Sequence, residues 1–379
     1  MKVLIVGGGI GGLTLGAFLK NSNIEFDIIE KCSDWKHQGF VIGLWDNGRD
    51  ILNKLNLAER LDREGSRVQK HSVRNGKGDV LRNYNFSGFF SEFGGAITII
   101  GRKELHNMLL ERLDASKISM GSSVHSLKQN KSGVTVNFAD GRTKEYDVVV
   151  GADGVHSTVR ELVFGGDVES FTNWRAWYVW INNAYNVPAT IVTYLEPRAS
   201  VMTLATGGRT MALMVAPADH TKWDTQEGRI KRLKELFKNE THIVPAALEE
   251  LSDEDALPTD IVEVNMRHFV KERVVLIGDA AHCSGPTAGL GTSMALEDAY
   301  TLAGELMKVS SDYSLYKALS TYEKSRKKRT TVARRLTRRA RIASLVKSPF
   351  LMKIIDVLAP FIPERFLANG YRQLLKNEI

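Results

Sequence analysis

The chain has 379 residues, 43% hydrophobic and 25% charged, a composition that excludes intrinsic disorder and collagen-like repeats and leaves room for two or three domains. Its two cysteines, Cys32 and Cys283, are too few for a disulfide framework and lack metal-ligand spacing, so a reducing, cytoplasmic compartment is expected. The net charge of +7 is local: residues 324–342 hold ten Lys and Arg and no acid, which leaves −3 for the rest.

In chain order, Val3 to Val6 predict a short buried strand, followed by Gly7-x-Gly9-x-x-Gly12 and a helix carrying Leu13, Leu15 and Leu19. Gly7 suits a tight turn, Gly9 a close backbone approach to a pyrophosphate, and Gly12 close packing of helix on sheet. The helix N-terminus offers unpaired N–H groups and a positive dipole end to phosphates. Phe26 to Ile29 predict a second strand, and Glu30 ends it 18 residues past Gly12, where a carboxylate can accept ribose hydroxyls. With the first strand starting at residue 2, no signal peptide is expected, and no apolar run reaches the ~18 residues of a membrane span.

Leu52, Leu55, Leu57 and Leu61 predict one helix after Asp46-Asn47-Gly48, and Arg102 opens another with Leu105, Met108, Leu109 and Leu113. Val134, Val136 and Phe138 alternate before Asp140-Gly141, a hairpin signal; Tyr146 to Val150 read as a buried strand entering Gly151-Ala152-Asp153-Gly154. From about residue 171 the pattern turns β-rich without βαβ periodicity. Trp174, Ala176, Tyr178 and Trp180 share one face of a strand, and Gly207-Gly208-Arg209 joins two more. Trp174, Trp177, Trp180 and Trp223 fit either a packed sheet core or an aromatic wall for a flat substrate. Val274 to Ile277 then return to α/β character, running through Gly278-Asp279 and a glycine-rich loop into a helix from Ser293 to Met307. The basic stretch reads as a solvated helix face near an anionic cofactor, with nucleic-acid or anionic-membrane contact as the alternative. Val346, Phe350, Ile354 and Val357 mark an apolar stripe, which Pro360 and Pro363 break before a last helix from about Glu364.

Three motifs stand in order: Gly7-x-Gly9-x-x-Gly12 with Glu30; Gly151-Ala152-Asp153-Gly154 through Arg160; and Gly278-Asp279-Ala280-Ala281-His282 with Pro286, Gly289 and Gly291. Together they resemble the class A, single-component FAD-dependent aromatic hydroxylases, over about residues 1–325. The resemblance implies an α/β fold: a Rossmann-like FAD-binding domain, an inserted, mostly antiparallel β-sheet substrate domain and C-terminal helices. The expected boundaries are 1–72, 97–170 and 268–324 for the FAD domain, 73–96 and 171–267 for the substrate domain, and 325–379 for the terminal helices. Carried over residue by residue, it implies FAD contacts from Gly7, Gly9, Ile10, Gly12, Glu30, Lys31, Arg102, Asp153, Asp279, Pro286, Gly289, Leu290, Gly291 and Thr292. Leu290 and Ser293 depart from the family's usual glutamine and asparagine. Asp153 and Asp279 also read as turn acids and Arg102 as a surface residue; His282 suits a structural hydrogen bond better than a base, and Cys283 a small buried residue. No second glycine fingerprint appears, since Gly76-x-Gly78 lacks its third glycine and helix, which suits NADPH or NADH binding transiently.

The implied chemistry is reduction of FAD by NAD(P)H, reaction with O2 to a flavin C4a-hydroperoxide, and hydroxylation of an aromatic or enolic substrate. No catalytic side chain is assigned. Residues 289–296 and 299–306 are similar to the corresponding helix of the tetracycline destructase branch, which implies a polycyclic phenol or enol, with tetracyclines the leading candidate. A prenyl-lipid reductase and a non-catalytic binder of the same fold are the rival readings. The expected partners are a small polycyclic or aromatic substrate and O2, with no nucleic acid, no stable membrane anchoring and a monomeric chain.

Overall fold

The structure, a computed structural model, describes residues 1–35, 40–86, 95–166, 168–310, 312–345, 348, 350–351, 354, 358 and 371–375. A six-stranded sheet runs in the spatial order Val270–Lys271, Val274–Leu276, Val148–Gly151, Lys2–Val6, Glu25–Glu30 and Ile118–Met120. Its pairings are parallel except at the Val270–Lys271 edge. Val3, Leu4 and Ile5 are fully buried, as a strand covered on both faces requires. The helix Ile10–Leu19 covers one face, and the helix Gly291–Met307 packs against it.

A seven-stranded sheet is built in the order Leu257–Val264, Glu169–Ile181, Arg209–Pro217, Ala199–Thr206, Thr190–Glu196, Lys70–Asn75 and Val80–Asn85. All its pairings are antiparallel except that of Thr190–Glu196 with Lys70–Asn75. One face buries Trp177, Val179 and Tyr194 against the helices Arg229–Leu236 and Val244–Glu249. The other face looks toward the glycine motifs. Two three-stranded antiparallel sheets complete the β-structure, Val41–Trp45/Ile97–Gly101/Ser66–Val68 and Val124–Gln129/Val134–Phe138/Thr143–Tyr146.

Several expectations change. The expected single helix is two, Asp46–Lys54 with Leu52 and Ala58–Glu64 with Leu61, and Leu55 and Leu57 cap them on either side of Asn56, which turns the chain with φ +56°. Tyr146 ends the hairpin strand Thr143–Tyr146 and donates its hydroxyl to Asp27 at 2.7 Å. The basic stretch lies on the long helix Asp312–Ser344, but it is not simply a solvated face, since Arg326 is fully buried and Arg329 nearly so. In the expected apolar stripe Phe350 and Ile354 are exposed. Val346, Val357, Pro360, Pro363 and Glu364 lie outside the described residues. Residues 371–375 are helical, with Leu374 and Leu375 buried in the cluster around Trp45.

Candidate active site

The first strand ends at Val6, and Gly7 turns the chain at φ +111°, so close to the Ala152 carbonyl that a Cβ would collide with it. At Gly12 a Cβ would strike the Gly7 carbonyl; glycine alone permits this approach of helix to turn. Gly9 differs, because a Cβ there would meet nothing within 4 Å. Its backbone opens onto a cavity of about 740 Å³, lined also by Ile10 and Gly11 at the start of the first helix. Glu30 Oε2 accepts the Gly8 N–H at 2.9 Å and Oε1 the Cys32 N–H at 3.0 Å, which fixes the carboxylate beside the turn. Lys31 is exposed, away from the cavity.

Gly278 and Asp279 line the same cavity, from the turn after Val274–Leu276. The Asp279 carboxylate is open to the cavity space yet enclosed by protein, and this desolvation raises its pKa, opposed by the positive charge of Arg102 and by His282. Arg102, at the start of the helix Arg102–Leu110, lies over the Phe40 ring at 5.5 Å, and burial lowers its pKa. Pro286, Gly289, Gly291 and Thr292 line the cavity from the loop that leads into the helix Gly291–Met307. Leu290 does not; its side chain is buried with Trp45, Met294 and Leu336. Ser293 accepts the Trp45 N–H at 3.1 Å, and Gly48 packs so closely on it that a larger side chain would not fit unchanged.

Asp153 is not among the residues that line the cavity. Its carboxylate accepts the Ser157 hydroxyl at 2.5 Å and the Val159 N–H at 3.0 Å, holding the start of the helix Thr158–Phe164, while its neighbours Ala152 and Gly154 line the cavity. Arg160, buried on that helix, donates to the Ala280 carbonyl at 3.0 Å and so ties the second motif to the third. His282 Nε2 meets Asp298 Oδ2 at 2.5 Å in the interior, a structural bond. Cys283 borders the cavity, but burial pushes its thiol far above the usual range, which suppresses the reactive thiolate.

The opposite wall comes from the seven-stranded sheet and the chain's C-terminal part. His71, Tyr84, Phe86, Tyr178, Met211 and Tyr371 face the cavity. Phe40 stacks on Tyr178 with centroids 4.9 Å apart, and Trp45 lies 4.7 Å from Tyr371. None of Trp174, Trp177, Trp180 or Trp223 lines it. Trp177 points to the far face and donates to Asp224, Trp223 is exposed, and Arg209 covers Trp180, so of the two readings of the tryptophans the aromatic wall does not hold, and other residues build the wall. His71 Nε2 is 2.8 Å from Thr193 Oγ1, and burial pushes the ring's pKa down to about 4. His71 and Thr193 stand on paired parallel strands, a long-range relationship with no local sequence signal.

The cavity brings together a glycine-lined helix end, the cationic Arg102 and the carboxylate of Asp279, with Glu30 held beside the turn but outside the lining, a donor and acceptor set whose chemistry fits a dinucleotide. A family profile described as "FAD binding domain" matches residues 1–340. A FAD-dependent urate hydroxylase of Mycolicibacterium vanbaalenii is 29% identical over 87% of this chain and 85% of its own length. The crystal structure of Klebsiella pneumoniae HpxO complexed with FAD and uric acid shares the fold with a TM-score of 0.90 at 22% identity, covering 99% of this chain and 96% of that one. Tetracycline destructase Tet(51) shares it with a TM-score of 0.77 at 22% identity, covering 100% and 98%. The chain belongs to the FAD-binding-domain family and is an FAD-dependent monooxygenase.

Proposed function

We propose that this enzyme consumes NAD(P)H and O2 to hydroxylate an aromatic or enolic substrate of more than one ring. The observation that carries this reading is the single continuous cavity of about 740 Å³, glycine-cradled on one side and walled by aromatic and aliphatic side chains on the other. A mostly apolar wall with few polar points suits a broad ring system. The Tet(51) fold likeness makes tetracyclines the first specific compounds to test, and the urate hydroxylase relative makes urate the comparator.

FAD, when bound, supplies the electron transfer and oxygen activation, and the chain supplies binding, orientation and exclusion of water. In this reading Gly9, Ile10 and Gly11 hold the pyrophosphate at the helix end, Glu30 the adenosine ribose, Arg102 a phosphate and Asp279 the ribityl chain. Gly7, Gly12 and Asp153 act through the backbone they shape, and Pro286, Gly289, Gly291 and Thr292 present backbone groups to the ring system. The N-terminus of the helix Gly291–Met307 favours negative charge nearby. His71 is neutral at physiological pH. With Nε2 engaged by Thr193, its Nδ1 is the ring nitrogen available to orient a substrate hydroxyl or hold its proton. Burial pushes the Tyr178 and Tyr371 hydroxyls up to about 12, so both remain protonated donors.

The test is a panel of tetracyclines, urate and single-ring hydroxypyridines, scored for substrate-stimulated NADPH oxidation and, by mass spectrometry, for gain of one oxygen. Stimulation with oxygen gain on a polycyclic substrate supports the reading. Turnover confined to single-ring compounds overturns the ring-size assignment.

A further inference from the structure

The cations of residues 324–342 divide into two sets. Five are used internally: Arg326 pairs with Glu297 and Asp298, Arg329 with Glu297, Arg341 with Glu263, Arg334 bonds Asn265 and Lys327 the Arg267 carbonyl. Glu323, the acid next to this stretch on the same helix, accepts from the amides of Phe269 and Val270. The other five, Lys324, Lys328, Arg335, Arg338 and Arg339, are exposed and make no hydrogen bond or ion pair with a described residue. Their spacing places them along one stripe of a helix, about 22 Å from first to last. Among the described residues, therefore, the fold uses only half of these charges.

Exposed apolar side chains follow the stripe in the chain. Ile342, one turn beyond Arg338, is 64% exposed, and Phe350 and Leu351 are 71% and 50% exposed. A linear array of cations with no partner among the described residues, followed in the chain by exposed large apolar side chains, matches a surface whose outer layer is anionic and whose next layer is hydrocarbon. Nucleic acid would satisfy the cations but gives the apolar residues nothing to enter. Ala340 and Ala343 of the same helix line the substrate cavity, so the cationic stripe and the cavity wall share adjacent turns.

We infer that this face docks peripherally on an anionic lipid bilayer, with the stripe of Lys324, Lys328, Arg335, Arg338 and Arg339 on the headgroups and Ile342, Phe350 and Leu351 at the acyl boundary. The contact is reversible, since no described helix is long and apolar enough to cross a membrane. It brings the cavity wall beside the phase in which an apolar ring compound concentrates.

The experiment is co-sedimentation of the full-length holoprotein with vesicles of phosphatidylcholine and of a three-to-one phosphatidylcholine–phosphatidylglycerol mixture. Binding is expected to the mixed vesicles and to fall steeply between about 0.1 M and about 0.5 M salt, as screening shortens the reach of each charge. The double variant Arg338→Gln/Arg339→Gln should lose about tenfold or more in partitioning, at roughly fivefold per charge. Phe350→Ser/Leu351→Ser should also weaken vesicle binding, with the flavin spectrum of both variants unchanged as the control for folding. Equal binding to neutral and anionic vesicles, or none to either, overturns the inference. So does duplex DNA that binds as tightly as the mixed vesicles and is indifferent to Phe350→Ser/Leu351→Ser.

Discussion

Arg326 Nε donates to Asp298 Oδ1 over 2.6 Å with both side chains fully buried, and the other oxygen of Asp298 accepts the Gly278 N–H at 2.8 Å. The long C-terminal helix is thereby wired to the turn that presents Asp279 to the cavity. Burial works against the Asp298 charge, but His282 and Arg326 overcome it and hold its pKa down to about 2. Arg326 also bonds Glu297 at 2.6 Å, and Asn47 donates to the same carboxylate at 2.7 Å.

Replacing Arg326 by Met leaves Glu297 and Asp298 buried with less compensating charge. The expected cost is about 3–5 kcal/mol of folding stability, the range for breaking a buried pair on one side. Urea unfolding of holoprotein and variant measures it, and a loss below about 1 kcal/mol would show that the network is dispensable.

Asp279→Ala should weaken FAD binding while the fold survives, because the residue lines the cavity and its one internal side-chain hydrogen bond is to the weak Cys283 thiol donor. A charged hydrogen bond to a ligand is worth about 1.5–3 kcal/mol, or roughly a tenfold to hundredfold change in Kd. Fluorescence titration of apoprotein with FAD reads it directly; an affinity within twofold of wild type would remove Asp279 from the flavin site.

His71→Phe keeps the shape of the wall but removes the ring nitrogens. With any substrate that stimulates NADPH oxidation, kcat/KM should fall about three- to tenfold, the worth of one neutral hydrogen bond, with FAD content unchanged. Since the His71 ring is neutral above about pH 4, its titration contributes no inflection to the profile between pH 5 and 8. Unaltered kcat/KM in the variant would assign His71 to packing alone.

Glu196 is buried, and desolvation, reinforced by the nearby Glu240, raises its pKa to about 7. In the unfolded chain it titrates in the ordinary range near 4.3. Between those values the native state binds the extra proton, so stability falls as pH rises through this window and levels off above about pH 7. The expected loss is roughly 2–3 kcal/mol between pH 5 and 8, at 1.36 kcal/mol per pKa unit. Glu196→Gln should flatten that slope in urea midpoints measured against pH. A slope as steep in the variant as in wild type would place the titration elsewhere.

The glycine motifs were legible in the sequence because their information is local. A φ of +111° at Gly7 and the collision a Cβ would make at Gly12 are demands on single positions that glycine alone meets. The position of Glu30 beside the turn could be read from spacing, since one strand, one helix and one more strand fix its distance from the glycines. For Asp153 the sequence shows the acid but not its hydrogen-bond partners. Whether a carboxylate after a strand meets a ligand or a helix N-terminus depends on Ser157 and Val159 reaching it first.

The substrate wall is a different matter. Alternation in the strand Glu169–Ile181 shows that two faces exist, but not which one meets the cavity or whether tyrosine or tryptophan stands there. That was settled when the strand order of the seven-stranded sheet brought His71, Thr193 and Tyr178 to one side, and when Arg329 took the Leu374 carbonyl at 2.5 Å and set Tyr371 beside Trp45. The split among the cations of residues 324–342 has the same origin: a sequence counts charges, while only the packed helix decides which arginines find a buried carboxylate and which remain in solvent. What the sequence alone determined is the backbone geometry of the glycine turns, because turn geometry is set by adjacent residues. What the tertiary structure decided is the cavity wall and the helix surface, because burial and partnership belong to residues far apart in the chain.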